Sequence, residues 1–400
     1  MKRIMVFRSS LLAASETFIK QQVSSLASWD ALLVGNRRLP SGLAIDDINS
    51  TIITDHFVSF WQKLKWRTFR QFGWPKPQQY NDLVAYKPAL VHVHFGTDAV
   101  VAWPWIKHLG VPMLVTLHGF DINTHPEWWI SGQGGDYRRN YPRQLRALAA
   151  EKKVSFVAVS QAIRQQAIQV YGIPAHKISV LHIGVNHQMF SLGKMPIYQR
   201  PLRVLFVGRL VEKKAADVLI KAMAQVQQQV TQAELTIVGN GPQLAELQQL
   251  ADELKVQVNF LGEIPNEQVR AQIHEARIFC LPSITASNGD AEGLPIVLLE
   301  AQACGLPVVT SARGGRDEGI ADGVTGFAFD EGDVQALSAH IIRLLQDDYL
   351  AQKMSEAGPK FIAENFRLDD CTAKLEAHYD KQVEDKQRAD KQLADKQKAT

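Results

Sequence analysis

Two glutamates eight positions apart, Glu292 and Glu300, bracket a Gly-Leu-Pro turn that leads into an apolar stretch. At about 3.6 residues per helical turn, this spacing predicts Glu292 in the loop before a helix and Glu300 about two turns inside it. A carboxylate in an apolar helix costs free energy unless a partner compensates it. An ionised carboxylate only accepts hydrogen bonds, and sugar and ribose hydroxyls donate them. The two glutamates are therefore candidate ligands for a polyhydroxylated molecule.

Two basic residues follow the first strand-like run of the second half of the chain. Arg209 comes just after that run, and Lys214 lies near the start of a helix predicted around Lys213. Cations at a helix N-terminus are repelled by the positive end of the helix dipole. A diphosphate bound there would attract both the cations and the helix N-terminus, and would explain their position. A solvated loop with ordinary surface charge is the alternative. The chain has no Asp-x-Asp triplet for a metal-held diphosphate, and Asp290-Ala291-Glu292 is the nearest approach.

Three histidines lie at or near the predicted ends of strands. His118 closes one strand and precedes Gly119, so it could donate a hydrogen bond to a substrate or stabilise developing charge; a structural role is the alternative. His92 and His94 share one face of another strand. A metal site would need a third ligand at suitable spacing, and none accompanies them, so we predict no metal.

The segment Phe57–Trp74 holds four basic residues, seven aromatic residues and no acid. As a helix at about 100° per residue, it places Trp66 among cations on the polar face. The opposite, apolar face carries Phe57, Phe60, Trp61 and Leu64. An aromatic among cations suits an anionic membrane surface, and a core helix with a basic outer side is the alternative.

Short apolar runs alternate with helical patterns along the whole chain. In the first half these runs are Ile4–Phe7, Ala31–Val34, Thr51–Thr54, Leu90–His94, Met113–Leu117, Val154–Val159 and Ile178–Leu181. In the second half they are Arg203–Val207, Glu234–Val238, Gln257–Phe260, Ile278–Leu281, Pro307–Thr310 and Gly326–Phe329. The alternation predicts α/β domains with parallel sheets covered on both faces. In such sheets, ligands bind beyond the carboxyl ends of the strands.

We predict two doubly wound domains at 1–193 and 202–366, a polar, proline-containing linker at 194–201, and a C-terminal helix with a polar repeat tail at 367–400. In the tail, Asp380-Lys381-Gln382 recurs every five residues. A five-residue period gives no continuous apolar seam, so we expect a solvated tail, with a docking element as the alternative. Near the N-terminus, Ser15 is the expected N-cap of the first helix.

Bulk composition excludes several classes of protein. A net charge of +3 does not argue for nucleic acid as a partner. The three cysteines (Cys280, Cys304 and Cys371) are scattered and form neither a disulfide framework nor a metal motif. The first apolar run is too short for a signal peptide, and no stretch approaches the ~18 apolar residues of a spanning helix. We therefore expect a cytoplasmic protein.

Together these motifs resemble the retaining glycosyltransferases of family 4, which have the GT-B fold. The strongest matches are the runs from Val207 to Lys214 and from Gly289 to Ala301. The runs His92–Gly96, His118–Asp121 and Ser15–Phe18 are similar to members that build bacterial exopolysaccharide, capsule or lipopolysaccharide. Two departures stand out: Ala215 follows the phosphate-binding lysine where many members have glycine, and the first loop lacks their Gly-Gly pair.

The resemblance implies a role for each site residue. Arg209 and Lys214 would hold the diphosphate of a nucleotide-sugar donor, Glu300 the ribose, and Glu292 the donor sugar. The backbone of Gly293, Leu294, Pro295 and Ile296 would pack on sugar and phosphate, and Glu263 and Ile264 would frame the base. His118 would lie by the anomeric centre, with Glu292 the second residue at the reacting sugar. On the acceptor side, in the N-terminal domain, the resemblance points to Ser15, Glu16, His94 and Asp121.

The resemblance implies a retaining hexosyltransferase that uses a nucleotide sugar, needs no metal cofactor, and glycosylates a glycan or lipid-linked acceptor. It would act in the cytoplasm, at the inner face of the plasma membrane where the Phe57–Trp74 segment makes contact. Two alternatives stay open. A nucleotide-sugar epimerase of the same architecture would act without an acceptor, and a non-catalytic two-domain binding protein would tolerate Glu292→Gln.

Overall fold

The computed structural model describes residues 1–40, 42–53 and 59–398. For residues 397 and 398 it describes the backbone alone. Thr54 and Phe57, which belong to two of the predicted segments, lie outside the described residues. The chain divides into two compact units, Met1–Ile183 with Asp369–Thr400, and Gly184–Leu368. Each unit is an α/β layer structure, as predicted.

The first unit is built on a seven-stranded parallel sheet of order β3-β2-β1-β4-β5-β6-β7. The strands are β1 Lys2–Leu11, β2 Trp29–Arg38, β3 Ser50–Ile52, β4 Leu90–His94, β5 Met113–Leu117, β6 Val154–Ala158 and β7 Ile178–Val180. Strands β4 and β5 are buried along their whole length, because helices cover both faces of the sheet. Chain order reverses on either side of β1, so the loops after β1 and β4 flank the position where ligands bind in such sheets.

The helices of this unit are α1 Thr17–Ser24, α2 Phe60–Phe72, α3 Gln78–Ala85, α4 Gly96–Ile106, α5 Phe120–Asn123, α6 Pro126–Ile130, α7 Tyr141–Ala150, α8 Gln161–Gln169 and, after the second unit, α15 Leu368–Lys398. Short 3-10 turns lie at Lys107–Leu109, Asp136–Arg138 and Ala175–Lys177.

The second unit is built on a six-stranded parallel sheet of order β10-β9-β8-β11-β12-β13. Its strands are β8 Arg203–Val207, β9 Glu234–Val238, β10 Val258–Gly262, β11 Ile278–Leu281, β12 Val308–Thr310 and β13 Gly326–Ala328. Its helices are α9 Ala216–Gln229, α10 Leu244–Glu253, α11 Asn266–Glu275, α12 Ile296–Ala303, α13 Val334–Gln346 and α14 Asp348–Asn365, with 3-10 turns at Ile197–Gln199 and Glu212–Lys214 and a π-helical turn at Gly315–Gly319. Strands β8 and β11 are neighbours at the switch point, so the loops that follow them meet there.

The predicted linker at 194–201 belongs to the second unit, which begins at Gly184. Its polar composition resembled a linker, but Ile197 and Arg200 are buried. The Arg200 guanidinium donates to the carbonyls of Met195 and Ala276 at 3.1 and 3.2 Å. These bonds satisfy backbone acceptors that a solvated linker would expose to water.

Helix α15 continues through the repeat, and its first half is part of the core of the first unit. Leu375, Tyr379 and Val383 recur every four residues on one helical face and join the core cluster. Glu376 accepts hydrogen bonds from the backbone N–H groups of Ser28 and Trp29 at 2.8 and 3.2 Å. The expected solvated tail is therefore confined to the later repeats, which are exposed.

Helix α2 turns the opposite face inward from the one expected. Trp66 is only 7% exposed and packs on Trp105, with ring centroids 6.3 Å apart. Phe60 and Trp61 are 70% and 73% exposed. The prediction followed the number of aromatic residues on each face, whereas burial follows the face that meets α4.

No helix in the described ranges is both long enough and apolar enough to cross a bilayer.

Candidate functional site

Two buried ion pairs lie side by side at the switch point of the second unit. Lys214 Nζ lies 2.9 Å from Glu292 Oε1, and Lys213 Nζ lies 3.1 Å from Asp290. The lysines are in the turn after β8 and the acids are in the loop after β11, so the parallel pairing of these strands brings them together. That loop is also fixed by a hydrogen bond from the Ile284 N–H to the Lys213 carbonyl at 2.8 Å.

Glu292 is held ionised by the surrounding cations. Burial alone would raise its pKa, but Lys214, Lys213 and Arg209 together lower that pKa to about 2. Burial raises the pKa of Asp290, and the Lys213 ammonium opposes that rise. The pair of charges at Lys214 and Glu292 is therefore fully formed at neutral pH.

Arg209 is exposed, and its guanidinium has no hydrogen-bond or ion-pair partner among the residues that the structure describes. Its charge nevertheless lowers the pKa of both Asp290 and Glu292, which indicates that it is near them. The charges within each of the two neighbouring ion pairs neutralise each other, so the unpaired Arg209 cation is available to an anionic ligand.

Glu300 is the fifth residue of α12, just over one turn from its start at Ile296. The expected depth of two turns was wrong because the Gly-Leu-Pro segment stays outside the helix. Burial raises the pKa of Glu300 to about 7, and its carboxyl group has no hydrogen-bond partner within the described part of the chain. A half-buried carboxyl without donors is poised to accept them from a ligand.

The backbone around these residues is packed too closely for side chains at two glycines. A Cβ at Gly314 would lie 1.7 Å from the Gly293 carbonyl oxygen, and one at Gly239 would lie 2.0 Å from that of Gly208. The loops after the strands therefore touch backbone to backbone. Gly293, Leu294 and Pro295 are buried beside Glu292, while Ile296 is half-buried. Ile264 follows β10, two strands away from β8.

Ala215 adopts the left-handed conformation, with φ 46° and ψ 44°, at the entry to α9. Leu12, in the first loop, likewise has φ 35°. At Ala215, and in the first loop at Leu12, the backbone thus favours glycine, the residue that the resemblance implies for both places. At Ala215, one fully buried methyl group, about 0.8 kcal/mol, offsets much of the cost of the left-handed conformation, about 1 kcal/mol.

In the first unit, His94 and His118 lie at the ends of the neighbouring strands β4 and β5. His94 Nδ1 is 3.0 Å from His118 Nε2, and the rings stack with centroids 5.3 Å apart. Burial lowers the pKa of both imidazoles well below the usual value, and nearby His92 and Arg8 lower it further. Both histidines are therefore neutral at physiological pH.

His92 is not paired with His94 as a metal ligand. Its two ring nitrogens bond to the hydroxyls of Tyr379 and Thr116, each at 2.7 Å. Burial is the main reason that its pKa falls to about 3. Across the described ranges, no group of three or more His, Cys, Asp or Glu side chains could hold a metal ion.

Of the other acceptor-side candidates, two are buried acids that hold loops through hydrogen bonds and one is exposed. Asp121 is buried, and its carboxylate accepts hydrogen bonds from the backbone N–H groups of Gly96, His118 and Gly119 at 2.7–3.1 Å. Glu16 binds Arg8 at 2.8 Å and caps the loop through the Ala13 N–H. Ser15 is exposed, and Glu16 takes the N-cap position expected for Ser15.

Sequence reasoning missed two charged groups of this unit and the partner of Asp290. Arg8 pairs with both Glu16 and Asp98, and its guanidinium lies 4.4 Å from the centre of the Phe95 ring. A charged residue directly after the apolar run Ile4–Phe7 of the first strand, with an acid in the first turn after β4, was the available signal. In the sequence, Lys213 marks only the predicted start of a helix.

Two family models match adjacent parts of the chain. A model described as Glycosyltransferase Family 4 matches residues 46–189, and a model described as Glycosyl transferases group 1 matches residues 190–361. The matches meet without overlap, near the boundary between the two compact units.

The amylovoran biosynthesis glycosyltransferase AmsK of Erwinia amylovora is 36% identical over 260 residues, which covers 64% of this chain and 61% of AmsK. A GDP-mannose-dependent alpha-(1-6)-phosphatidylinositol monomannoside mannosyltransferase of Mycolicibacterium smegmatis is 38% identical over 191 residues, covering 47% of this chain and 48% of that protein. The similarity thus spans about three fifths or less of these relatives.

The structure of Anabaena Alr3699/HepE in complex with UDP superposes with a TM-score of 0.76 at 19% identity, covering 95% of this chain and 100% of that one. At this identity the likeness shows the fold. The chain therefore carries a Glycosyltransferase Family 4 domain followed by a Glycosyl transferases group 1 domain, and its two doubly wound units are those of the GT-B fold.

Proposed function

We propose that this protein is a retaining hexosyltransferase that moves a sugar from a nucleoside diphosphate sugar to a hydroxyl of a glycan or lipid-linked acceptor in bacterial surface polysaccharide synthesis. The observation that carries the proposal is the set of charges in the second unit. Arg209 is a cation without a partner beside the Lys214–Glu292 pair, and Glu300 is a carboxyl group without hydrogen-bond donors.

A nucleoside diphosphate sugar supplies the partner that each of these groups lacks. Its diphosphate can bind Arg209 and draw Lys214 away from Glu292, and hydroxyls of the donor sugar can then replace the ammonium on Glu292. Ribose hydroxyls can donate to Glu300. The buried backbone of Gly293–Pro295 offers a close surface for sugar and phosphate.

In the proposed reaction, the bond between the anomeric carbon and the diphosphate oxygen breaks, and a bond to the acceptor oxygen forms on the same face. The acceptor hydroxyl loses its proton to the departing diphosphate. Arg209 and Lys214 stabilise the negative charge that develops on that leaving group. His118 is neutral, so its proposed contribution is a hydrogen bond near the anomeric centre. Exclusion of water would limit hydrolysis of the donor.

Similar proteins support a nucleotide-sugar donor but differ in its base. HepE is described in complex with UDP-glucose, and the mannosyltransferase as GDP-mannose-dependent. AmsK is described as acting in amylovoran biosynthesis, which supports an exopolysaccharide product here.

The test is turnover of a panel of UDP and GDP sugars by the purified protein, with lipid-linked and free glycan acceptors. We expect release of a nucleoside diphosphate that depends on the acceptor, and a product that keeps the anomeric configuration of the donor. Isomerisation of the donor without an acceptor would identify an epimerase. Binding without turnover, unaffected by Glu292→Gln, would identify a non-catalytic binding protein.

We also propose that the protein works in the cytoplasm and contacts an anionic membrane through α2. At about 100° per residue, Phe60, Trp61, Leu64 and Phe72 span an arc of about 120° on this helix. All four are exposed, and exposed Arg67 and Lys65 flank the arc on its two sides. An exposed apolar arc between cations suits shallow insertion among anionic headgroups.

Vesicle co-sedimentation tests this surface. We expect binding to vesicles that contain phosphatidylglycerol, weak binding to pure phosphatidylcholine, and loss of binding in Trp61→Ser with Phe60→Ser. Tyr349→Ser, which removes an equally exposed aromatic from α14, is the control. Equal binding by all of these proteins would rule out α2 as the contact.

A further inference from the structure

The contact between His94 and His118 leaves one ring nitrogen of each residue to be accounted for. His94 Nδ1 and His118 Nε2 share a single hydrogen bond of 3.0 Å. His94 Nε2 is buried and has no hydrogen-bond partner among the described residues. His118 Nδ1 makes no contact of this kind in the same part of the chain, and the His118 side chain is partly exposed.

A neutral imidazole carries one N–H, so the shared bond allows two arrangements. If His118 Nε2 is the donor, the proton of His94 must lie on Nε2, where it would be buried without an acceptor. If His94 Nδ1 is the donor, His94 Nε2 is only a lone pair, and the proton of His118 lies on Nδ1. An orphaned buried N–H is rarer in proteins than an acceptor without a partner, so the second arrangement is favoured.

We propose that His94 is a positioning residue that fixes His118 in its Nδ1–H tautomer, so that His118 offers a hydrogen-bond donor to the ligand. The partner of His118 is then an acceptor atom, such as a sugar hydroxyl oxygen or a phosphate oxygen. His118 in this state cannot take the proton of an acceptor hydroxyl through Nδ1. The identity of the ligand rests on the proposed function, whereas the tautomer does not.

The surroundings of His118 hold the ring in place but leave the choice of tautomer to His94. The rings of Phe95 and Phe18 lie 4.4 and 5.1 Å from the His118 ring by their centroids. Asp121 accepts the backbone N–H of His118, not a ring nitrogen. Nearby His92 and Arg8 add to the effect of burial in keeping the ring neutral. The carboxylates of Glu16 and Asp98 are occupied by Arg8.

Selective ¹⁵N labelling of histidine tests the tautomer directly, because long-range ¹H–¹⁵N spectra distinguish a protonated from an unprotonated ring nitrogen. The His118 and His94 signals are assigned as those lost in His118→Asn and His94→Asn. We expect protonated Nδ1 and unprotonated Nε2 in both residues, unchanged from pH 6 to pH 8. A protonated Nε2 on His118, or an imidazolium in this range, would overturn the proposal.

Variants at His94 test the positioning role. His94→Asn keeps an N–H close to the place of Nδ1, and His94→Leu removes it. We expect kcat to fall roughly tenfold in the Leu variant, with little change in KM for the donor, and to recover largely in the Asn variant. His118 should show mixed tautomers only in the Leu variant. If His118 keeps Nδ1–H in a folded Leu variant, His94 does not set the tautomer.

If no sugar donor is ever turned over, the proposed function fails, while the wild-type spectra still decide the tautomer.

Discussion

Binding of a nucleoside diphosphate should release a proton from Glu300. In the free protein, burial raises the pKa of this carboxyl group to about 7. Ribose hydroxyls donate to the ionised form and should return the pKa towards its ordinary value near 4.5. About three quarters of a proton should therefore leave per nucleotide bound at pH 6.5, and about one tenth at pH 8. At pH 6, Glu300 must lose its proton before the ribose can bind, and at pH 8 it is already ionised. The affinity for the nucleotide should therefore be about tenfold weaker at pH 6 than at pH 8.

Isothermal titration calorimetry in buffers of different ionisation enthalpy measures this proton count. Glu300→Gln is the matched variant, since it keeps the shape and cannot ionise, and the difference between the two proteins removes protons that belong to the nucleotide. Equal proton release by both proteins at pH 6.5 would mean that Glu300 does not lose a proton when the nucleotide binds.

The same raised pKa stabilises the fold below about pH 4.5, and that stability is lost as pH rises through about 7. Relative to Glu300→Gln, wild-type stability should thus fall by about 3 kcal/mol across this range, measured by urea unfolding.

Two further predictions concern stability and are measured by urea or thermal unfolding. Leu375→Ala should destabilise the protein by about 2–4 kcal/mol because Leu375 is 3% exposed in the core. The control is Leu393→Ala, at a position 59% exposed on the same helix, which should change stability by less than about 0.5 kcal/mol. Equal effects would mean that α15 is not part of the core. Lys255→Gly should stabilise the protein by about 0.5–1 kcal/mol because Lys255 is exposed and has φ 57° after α10. The control is Lys221→Gly, inside α9, which should destabilise the protein by about 1 kcal/mol. A stability change of the same sign in both variants would contradict the backbone explanation.

The strands and the fold class could be predicted because parallel strands buried on both faces leave continuous apolar runs in the sequence. Leu90–His94, Arg203–Val207 and Ile278–Leu281, for example, are strands with the expected bounds. The GT-B assignment is confirmed by the two sheets and the family models. Long-range contacts left no such trace. The burial of Arg200 and the docking of α15 depend on partners distant in the chain.

The candidate site was predicted in part for the same reason. Arg209, Lys214 and Glu292 could be named because each follows a strand that ends at the switch point. Their pairing could not be named, since spacing along the chain does not show that Lys214 contacts Glu292 and Lys213 contacts Asp290. The inward face of α2 was wrong because the pattern identifies two faces without showing which one meets Trp105.

The second unit is proposed to bind a nucleoside diphosphate through the unpaired guanidinium of Arg209, and the affinities of UDP and GDP for Arg209→Ala and for the wild type are its sharpest test. Arg203→Ala is the matched control, because Arg203 opens the same strand at the opposite end and pairs there with Glu234 and Glu275. By calorimetry, we expect tight binding of at least one nucleotide by the wild type and by Arg203→Ala, and binding at least tenfold weaker in Arg209→Ala. Equal affinity in all three proteins, or no binding of either nucleotide by the wild type, would contradict the account.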